Sequence, residues 1–352
     1  FLNIPVGLIG LALATSWLRG GGGNARARFD PLGFATAAIG FGAVLYAASV
    51  AADLGWTSGR VLGGFAVGAV ALIIFAIVEL YVAPEPLLDL RLFARPVFAL
   101  ANLTGYVSVV ALFGAEFLLP LYLQILRGRT ALEAGVILLP LALAAGVATP
   151  LAGLLFDRIG ARPLAVTGFG LLALNTWQLS MLTVSSDIRW IQVLLAMRGL
   201  ALGLTIQTTL SVALSVVDVR KTARASALIN ATRQVVQSIG VAMLATVLAS
   251  AVAPGVSAQL QQFQAAAPRA TGGARVELCA LPTGTVPPQV DAVIDQFCGQ
   301  YMVGLENAYR LTFYFALAAM ALGATLPGWP LRWTSPRARK DEAGGQPIAA
   351  AH

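Results

Sequence analysis

Long apolar runs, broken by short clusters of arginine, set the rhythm of this chain. Nine stretches are long and apolar enough to cross a bilayer: 1–18, 32–52, 61–81, 97–120, 133–155, 164–184, 191–216, 228–251 and 310–327. Each approaches the roughly 20 residues a helix needs to span about 30 Å of hydrocarbon. Helices are the expected element, because lipid offers no partner to an unpaired backbone N–H or C=O. The pattern predicts an all-α integral membrane protein with about nine transmembrane helices. The first stretch begins Phe1-Leu2-Asn3-Ile4-Pro5 and has no basic segment before it, so it is not a signal peptide. A chain that opens inside an apolar helix is expected to be truncated.

The segments between the runs predict an orientation. One alternate set comprises 19–31, 82–96, 156–163, 217–227 and 328–352, and it carries fourteen basic residues; the other set carries six. Positive charge is retained on the cytoplasmic side, so the first set is expected inside, with residue 1 outside and the tail 328–352 cytoplasmic. The segment 252–309 differs from the others by its length, its prolines and its two cysteines, Cys279 and Cys298, the only ones in the chain. On the oxidising side these either form a disulfide or remain two thiols in a loop. A bridge would stabilise the loop by roughly 3 kcal/mol in the chain-entropy description.

Composition agrees with a membrane class and narrows the chemistry. Apolar residues make up 58% of the 352 positions and charged residues only 11%, too few to cover a soluble surface. The net charge of +7 comes almost wholly from arginines between apolar runs, which reads as membrane orientation and not as nucleic-acid binding. With one histidine, His352, and two cysteines, the chain has no set of ligands for zinc or haem and no Cys/His catalytic pair; no metal and no cofactor are expected. The absence of any G-x-x-x-x-G-K-[ST] loop argues against ATP as the energy source and leaves an ion gradient.

One inner connection is more than a basic loop. Residues 153–162 read G-x-L-x-D-R-x-G-x-R, with Gly153, Asp157, Arg158, Gly160 and Arg162 in order. A turn-forming glycine beside an Asp–Arg cluster at the cytoplasmic face can be locked or released by a neighbouring helix end. The pattern resembles motif A of the major facilitator superfamily. Further segments are similar to 14-helix drug:proton antiporters of the EmrB/QacA type. Phe1-Leu2-Asn3-Ile4-Pro5-Val6-Gly7 resembles the entry to their sixth helix. Leu119-Pro120-Leu121-Tyr122-Leu123-Gln124, with Gly128, Thr130, Ala134-Gly135 and Leu139-Pro140, resembles the stretch between the ninth and tenth. Ala225-Ser226-Ala227-Leu228-Ile229-Asn230, with Arg233-Gln234 and Gly240-Val241-Ala242, resembles the thirteenth.

The resemblance implies a partial major facilitator fold covering helices six to fourteen. Residues 1–18 then form the last helix of an N-terminal bundle, 19–96 a cytoplasmic loop, two extra central helices and a linker, and 97–327 a six-helix C-terminal bundle. It also implies two bundles rocking about a midplane site, so this chain without its N-terminal bundle is not expected to transport. The implied activity is proton-coupled efflux of multidrug or small amphiphilic substrates across a bacterial cytoplasmic membrane. A same-fold exporter of a dedicated metabolite and a non-transporting membrane scaffold remain alternatives, and an enzyme is not expected. The expected partners are the lipid bilayer, a small-molecule substrate, protons, the N-terminal bundle and a periplasmic adaptor, with no nucleic acid.

Ionisable residues inside spans are functional candidates by default. Glu116 and Arg198 each lie about eight residues, or roughly 12 Å, from the outer end of their stretch, which suggests an ion pair or a shared aqueous pocket. Glu116 either exchanges a proton and attracts cations, or belongs to a static bridge. Asn102, Tyr122, Gln124, Gln207 and Thr208 are candidate cavity contacts, or else interhelical hydrogen-bonding groups. Arg233, with Asn230 and Gln234, reads as an inner-end contact to the N-terminal bundle, or as an arginine snorkelling to headgroups. The spacing Gly199-x-x-x-Gly203 predicts close helix packing.

A cysteine introduced at Arg60 should react with a membrane-impermeant maleimide in intact cells, and one introduced at Arg337 only after permeabilisation; the reverse pattern would overturn the predicted orientation.

Overall fold

The structure is a computed structural model that describes residues 3–17, 30–82, 87–218, 221–253, 255–256, 279 and 288–327. The tail 328–352, most of the inner segment 19–31 and most of 252–287 lie outside the described residues. Within them run nine helices. They are α1 (Asn3–Trp17), α2 (Pro31–Leu54), α3 (Gly59–Ile77), α4 (Pro96–Leu121) and α5 (Ala131–Ile159), then α6 (Ala161–Leu179), α7 (Ile188–Ser215), α8 (Thr222–Ala251) and α9 (Pro288–Ala324). Each coincides with one of the nine apolar stretches. Six of them (α2, α3, α4, α5, α7 and α8) are each long and apolar enough to cross a membrane.

Local sequence explains where the helices begin and end. Asp30 caps α2 by accepting from Gly33 N at 2.9 Å, and Pro31 supplies a first-turn residue that needs no N–H. Thr130 and Glu133 close a reciprocal cap on α5, with Glu133 N to Thr130 Oγ1 at 3.2 Å and Thr130 N to Glu133 Oε2 at 2.9 Å. Pro120 sits near the end of α4, and the chain continues beyond it as one π-helical turn, Tyr122–Leu126. A second π turn, Val78–Val82, prolongs α3.

Three boundaries differ clearly from the sequence expectation, the start of α8 at Thr222 among them. The connection expected over 156–163 contracts to a single residue, Gly160, because α5 runs on through Asp157 and Arg158 and α6 starts at Ala161. Gly160 adopts φ +82°, where side chains are disfavoured, and this makes the reversal possible in one residue. At the other end of the chain, α9 begins at Pro288, so the loop expected over 252–309 is helical in its last third. Ile294, Tyr301 and Leu305 are buried along one stripe of α9 while Asp291, Asp295 and Gln296 alternate between them. This amphipathic period makes a helix without making an apolar run. Cys298 on α9 is disulfide-bonded to Cys279, with Cα atoms 5.9 Å apart.

Helices α4 to α9 pack into one bundle. The pair α5–α7 is the closest, α6 lies against α7 and α9, and α4 contacts α7, α8 and α9. Helices α2 and α3 form a hairpin attached to the bundle through α2 and α8. Small residues govern both close contacts. A Cβ added at Gly199 would fall 2.2 Å from Leu141 O, and one at Gly203 2.5 Å from Ala148 Cβ, so α5 and α7 meet almost backbone to backbone. Gly68 likewise faces Val44 Cγ2 at 2.6 Å in the hairpin. Between lipid-exposed helices such proximity supplies the dispersion energy that the hydrophobic effect does not.

Two apolar layers fill the bundle. One, nearer Gly160, contains Phe98, Phe169, Leu172, Val212 and Leu228; the other, at the opposite end, contains Leu118, Leu126, Leu179, Leu194 and Leu244.

Gly199→Ala should lower the thermal midpoint of the purified protein in detergent, with an overpacking cost of about 1–3 kcal/mol. Gly146→Ala, where a Cβ meets nothing within 4 Å, serves as the neutral control.

Candidate functional site

A buried polar belt separates the two apolar layers, and Arg198 is its centre. The residue is 1% exposed, and its guanidinium donates to Ala111 O at 2.8 Å and to Leu112 O, both on α4. It also donates to Asn175 Oδ1 on α6 at 3.2 Å. Asn175 is itself fully buried and returns a bond from Nδ2 to Leu194 O of α7 at 2.7 Å. One side chain of α7 thereby ties together three helices. The Arg198 Nε and the Tyr309 hydroxyl of α9 are buried without a hydrogen-bond partner among the described residues.

Glu116 lies within electrostatic range of both Arg198 and Arg233 and is half-buried. Among the described residues it forms no ion pair with either. Of the two arrangements expected from their equal depth, an ion pair or a shared pocket, the direct ion pair is not formed among the described residues: backbone carbonyls and Asn175 occupy the Arg198 fork. Arg233 also changes place. Helix α8 starts at Thr222, six residues before the apolar run, so Arg233 sits three turns in, roughly 16 Å along the helix. Its guanidinium lies 6.0 Å from the Phe113 ring, level with the Glu116 turn and not at the inner end.

Below this pair opens a polar cleft of about 50 Å3 between α4, α7 and α8, room for one or two waters. Asn102, Tyr106, Ser108, Thr209, Asn230 and Arg233 line it. Asn102 donates to Phe98 O at 2.8 Å and Asn230 to Ser226 O at 2.9 Å, each within its own helix. The Tyr106 hydroxyl meets Thr232 Oγ1 at 2.5 Å. Arg233 lines the cleft and also lies within electrostatic range of Glu116, so it couples the two regions electrostatically.

The remaining sequence candidates fall elsewhere. Tyr122 is 1% exposed within the second apolar layer, its hydroxyl donating to Thr183 O at 2.6 Å, and it does not line the cleft. Gln124 is exposed on the π turn and Gln234 is exposed on α8. Gln207 is half-buried and reaches Ser211 Oγ at 3.4 Å, while Thr208 turns inward and donates to Leu204 O at 2.6 Å. In the motif A-like segment, Asp157 and Arg158 are exposed on the last turn of α5, and Gly153 has open space where a Cβ would be. Arg162 Nε donates to Leu326 O at 3.0 Å, joining this turn to the end of α9. Sequence reasoning missed Tyr106, Ser108, Asn175, Thr209 and Tyr309. A polar side chain inside an apolar run is the signal that would have found Asn175.

The description of the Major Facilitator Superfamily matches residues 31–241. The chain belongs to that superfamily. It is 32% identical over 244 residues to the MFS-type transporter YhcA of Bacillus subtilis, covering 69% of this chain and 46% of the relative. It is 28% identical to the lincomycin resistance protein LmrB of Listeria monocytogenes, over 76% of this chain and 56% of that one. It is 29% identical to the multidrug resistance protein B homolog of Mycobacterium tuberculosis, over 90% and 58%. The chain thus spans about half the length of the curated relatives it matches. The superfamily is one of membrane transporters, and the relatives are named as a transporter and as resistance proteins.

Asn175→Ala should lower the thermal midpoint, since it strips a buried arginine of one acceptor and removes the side-chain bond from α6 to the Leu194 carbonyl of α7, about 1–3 kcal/mol. Tyr309→Phe removes a hydroxyl with no partner and should leave the midpoint within about 0.5 kcal/mol of its starting value.

Proposed function

We propose that this chain supplies the six-helix bundle α4–α9 to a proton-coupled exporter of drugs or small amphiphiles in a bacterial cytoplasmic membrane. The observation that carries this reading is Glu116, an unbridged acid in the membrane interior, joined through Arg233 to a polar cleft. An intramembrane carboxyl with no ion pair among the described residues is suited to take up and release a proton. The relatives named for lincomycin and multidrug resistance support the drug class. The 14-helix antiporter resemblance supports α1 as part of a second bundle, α2 and α3 as central helices, and the tail as cytoplasmic. The exposed face of Asn230 and Gln234, and that of Asp157 and Arg158, would meet that second bundle. Transport then requires both bundles, and this chain alone is inactive.

Full-length protein carrying Glu116→Gln should lose proton-coupled efflux of a fluorescent cation in cells, while binding it in detergent with little change. Efflux equal to wild type, with the same collapse on adding an uncoupler, would remove Glu116 from the proton path.

A further inference from the structure

A second, larger recess lies on the outside of the bundle, where the end of α6 passes α9. Its volume is about 420 Å3, within the usual range of about 300–1,000 Å3 for small-molecule sites. Trp177 and Met181 beside α6 form one wall, and Glu306, Arg310, Phe313 and Tyr314 on α9 form the other. Trp177, Met181 and Tyr314 are 46%, 59% and 63% exposed, so these large side chains are offered to the surroundings and not to the core. The groove sits at the opposite end of the bundle from Gly160 and the Arg162–Leu326 contact.

The groups in the groove are ordered along the helices. Helix α6 ends at Leu179, with Trp177 in its last turn and Met181 just beyond it. On α9, Glu306 comes first, Arg310 one turn later, and Phe313 and Tyr314 deeper still. On the membrane placement that the proposed function assumes, the charged pair, joined at 2.6 Å, stands at headgroup depth and the rings stand where acyl chains begin. Aromatic residues favour this interfacial zone, where one end is apolar and the other wet.

We propose that this groove binds a zwitterionic phospholipid whose headgroup carries a phosphate diester and a primary ammonium. The phosphate lies on Arg310, whose planar fork suits it; the ammonium lies on Glu306; and the first acyl carbons cross Trp177, Met181, Phe313 and Tyr314. The side-by-side opposite charges make the selection. An anionic lipid meets Glu306 unfavourably, a cationic amphiphile meets Arg310 unfavourably, and only a head of both signs satisfies both. The existing pair is an exposed i,i+4 bridge and opens readily onto a ligand.

The test uses full-length protein and native mass spectrometry, with phosphatidylethanolamine, phosphatidylglycerol and a cationic lipid of identical chains in competition. Preferential retention of phosphatidylethanolamine by the wild type is the expected result; preference for either other lipid, or equal retention of all three, overturns the proposal without recourse to any variant. The double variant Glu306→Gln with Arg310→Gln should reduce the preference roughly tenfold, the loss of about one charge-assisted contact. Glu306→Gln alone should turn the preference towards phosphatidylglycerol. A double variant that keeps the wild-type preference moves the site elsewhere and sinks the assignment.

Discussion

The bundle depends on one buried charge. Arg198 brings a permanent cation to the middle of a membrane protein, where an unsolvated charge is among the most costly groups a fold can hold. The structure answers with oxygen atoms from two other helices: the carbonyls of Ala111 and Leu112 on α4, and Asn175 on α6. Since Asn175 also reaches back to Leu194 on α7, the three helices share one hydrogen-bonded junction. Above and below it the apolar layers do not need to specify register, because Arg198 has already fixed which turn of α4 faces which turn of α7.

Close packing is the second constraint, and it complements the first. At Gly199, one residue after Arg198, α7 turns a bare backbone towards Leu141 of α5. A single helix thus presents a large charged group to α4 and α6 on one face and nothing at all to α5 on the other. Side chains of intermediate size on either face would satisfy neither neighbour. Glu116, Arg233 and the Asn102 cleft sit on the remaining side, against α8.

Much of this was legible in the sequence, and the parts that were not share a cause. All nine helices were visible because the bilayer demands long apolar runs, and the Gly199–Gly203 contact was visible because close approach demands small residues. Arg198 and Glu116 stood out as charges inside apolar stretches. Their relation did not, since the acceptors that hold Arg198 are backbone carbonyls, which no residue type announces. Arg233 was placed too near the membrane edge because the first turns of α8, Thr222 to Ala227, are helical without being strongly apolar. The early turns of α9 were hidden in the same way: an amphipathic stripe through Ile294, Tyr301 and Leu305 makes a helix that an apolar-run criterion does not register.

The length of α9 has a mechanical consequence. At 37 residues it extends roughly 55 Å, against about 30 Å of hydrocarbon, so an upright α9 would project past the lipid for close to half its length. The projecting part is not a free spike: Cys298 is cross-linked to Cys279, and Gln300 Oε1 accepts from Ala253 N at 2.9 Å near the end of α8. A rod gripped along its lower half and braced at its upper half behaves as a lever with little slack. Any tilt of the bundle within the membrane is carried undiminished, and geometrically enlarged, to a surface beyond the lipid.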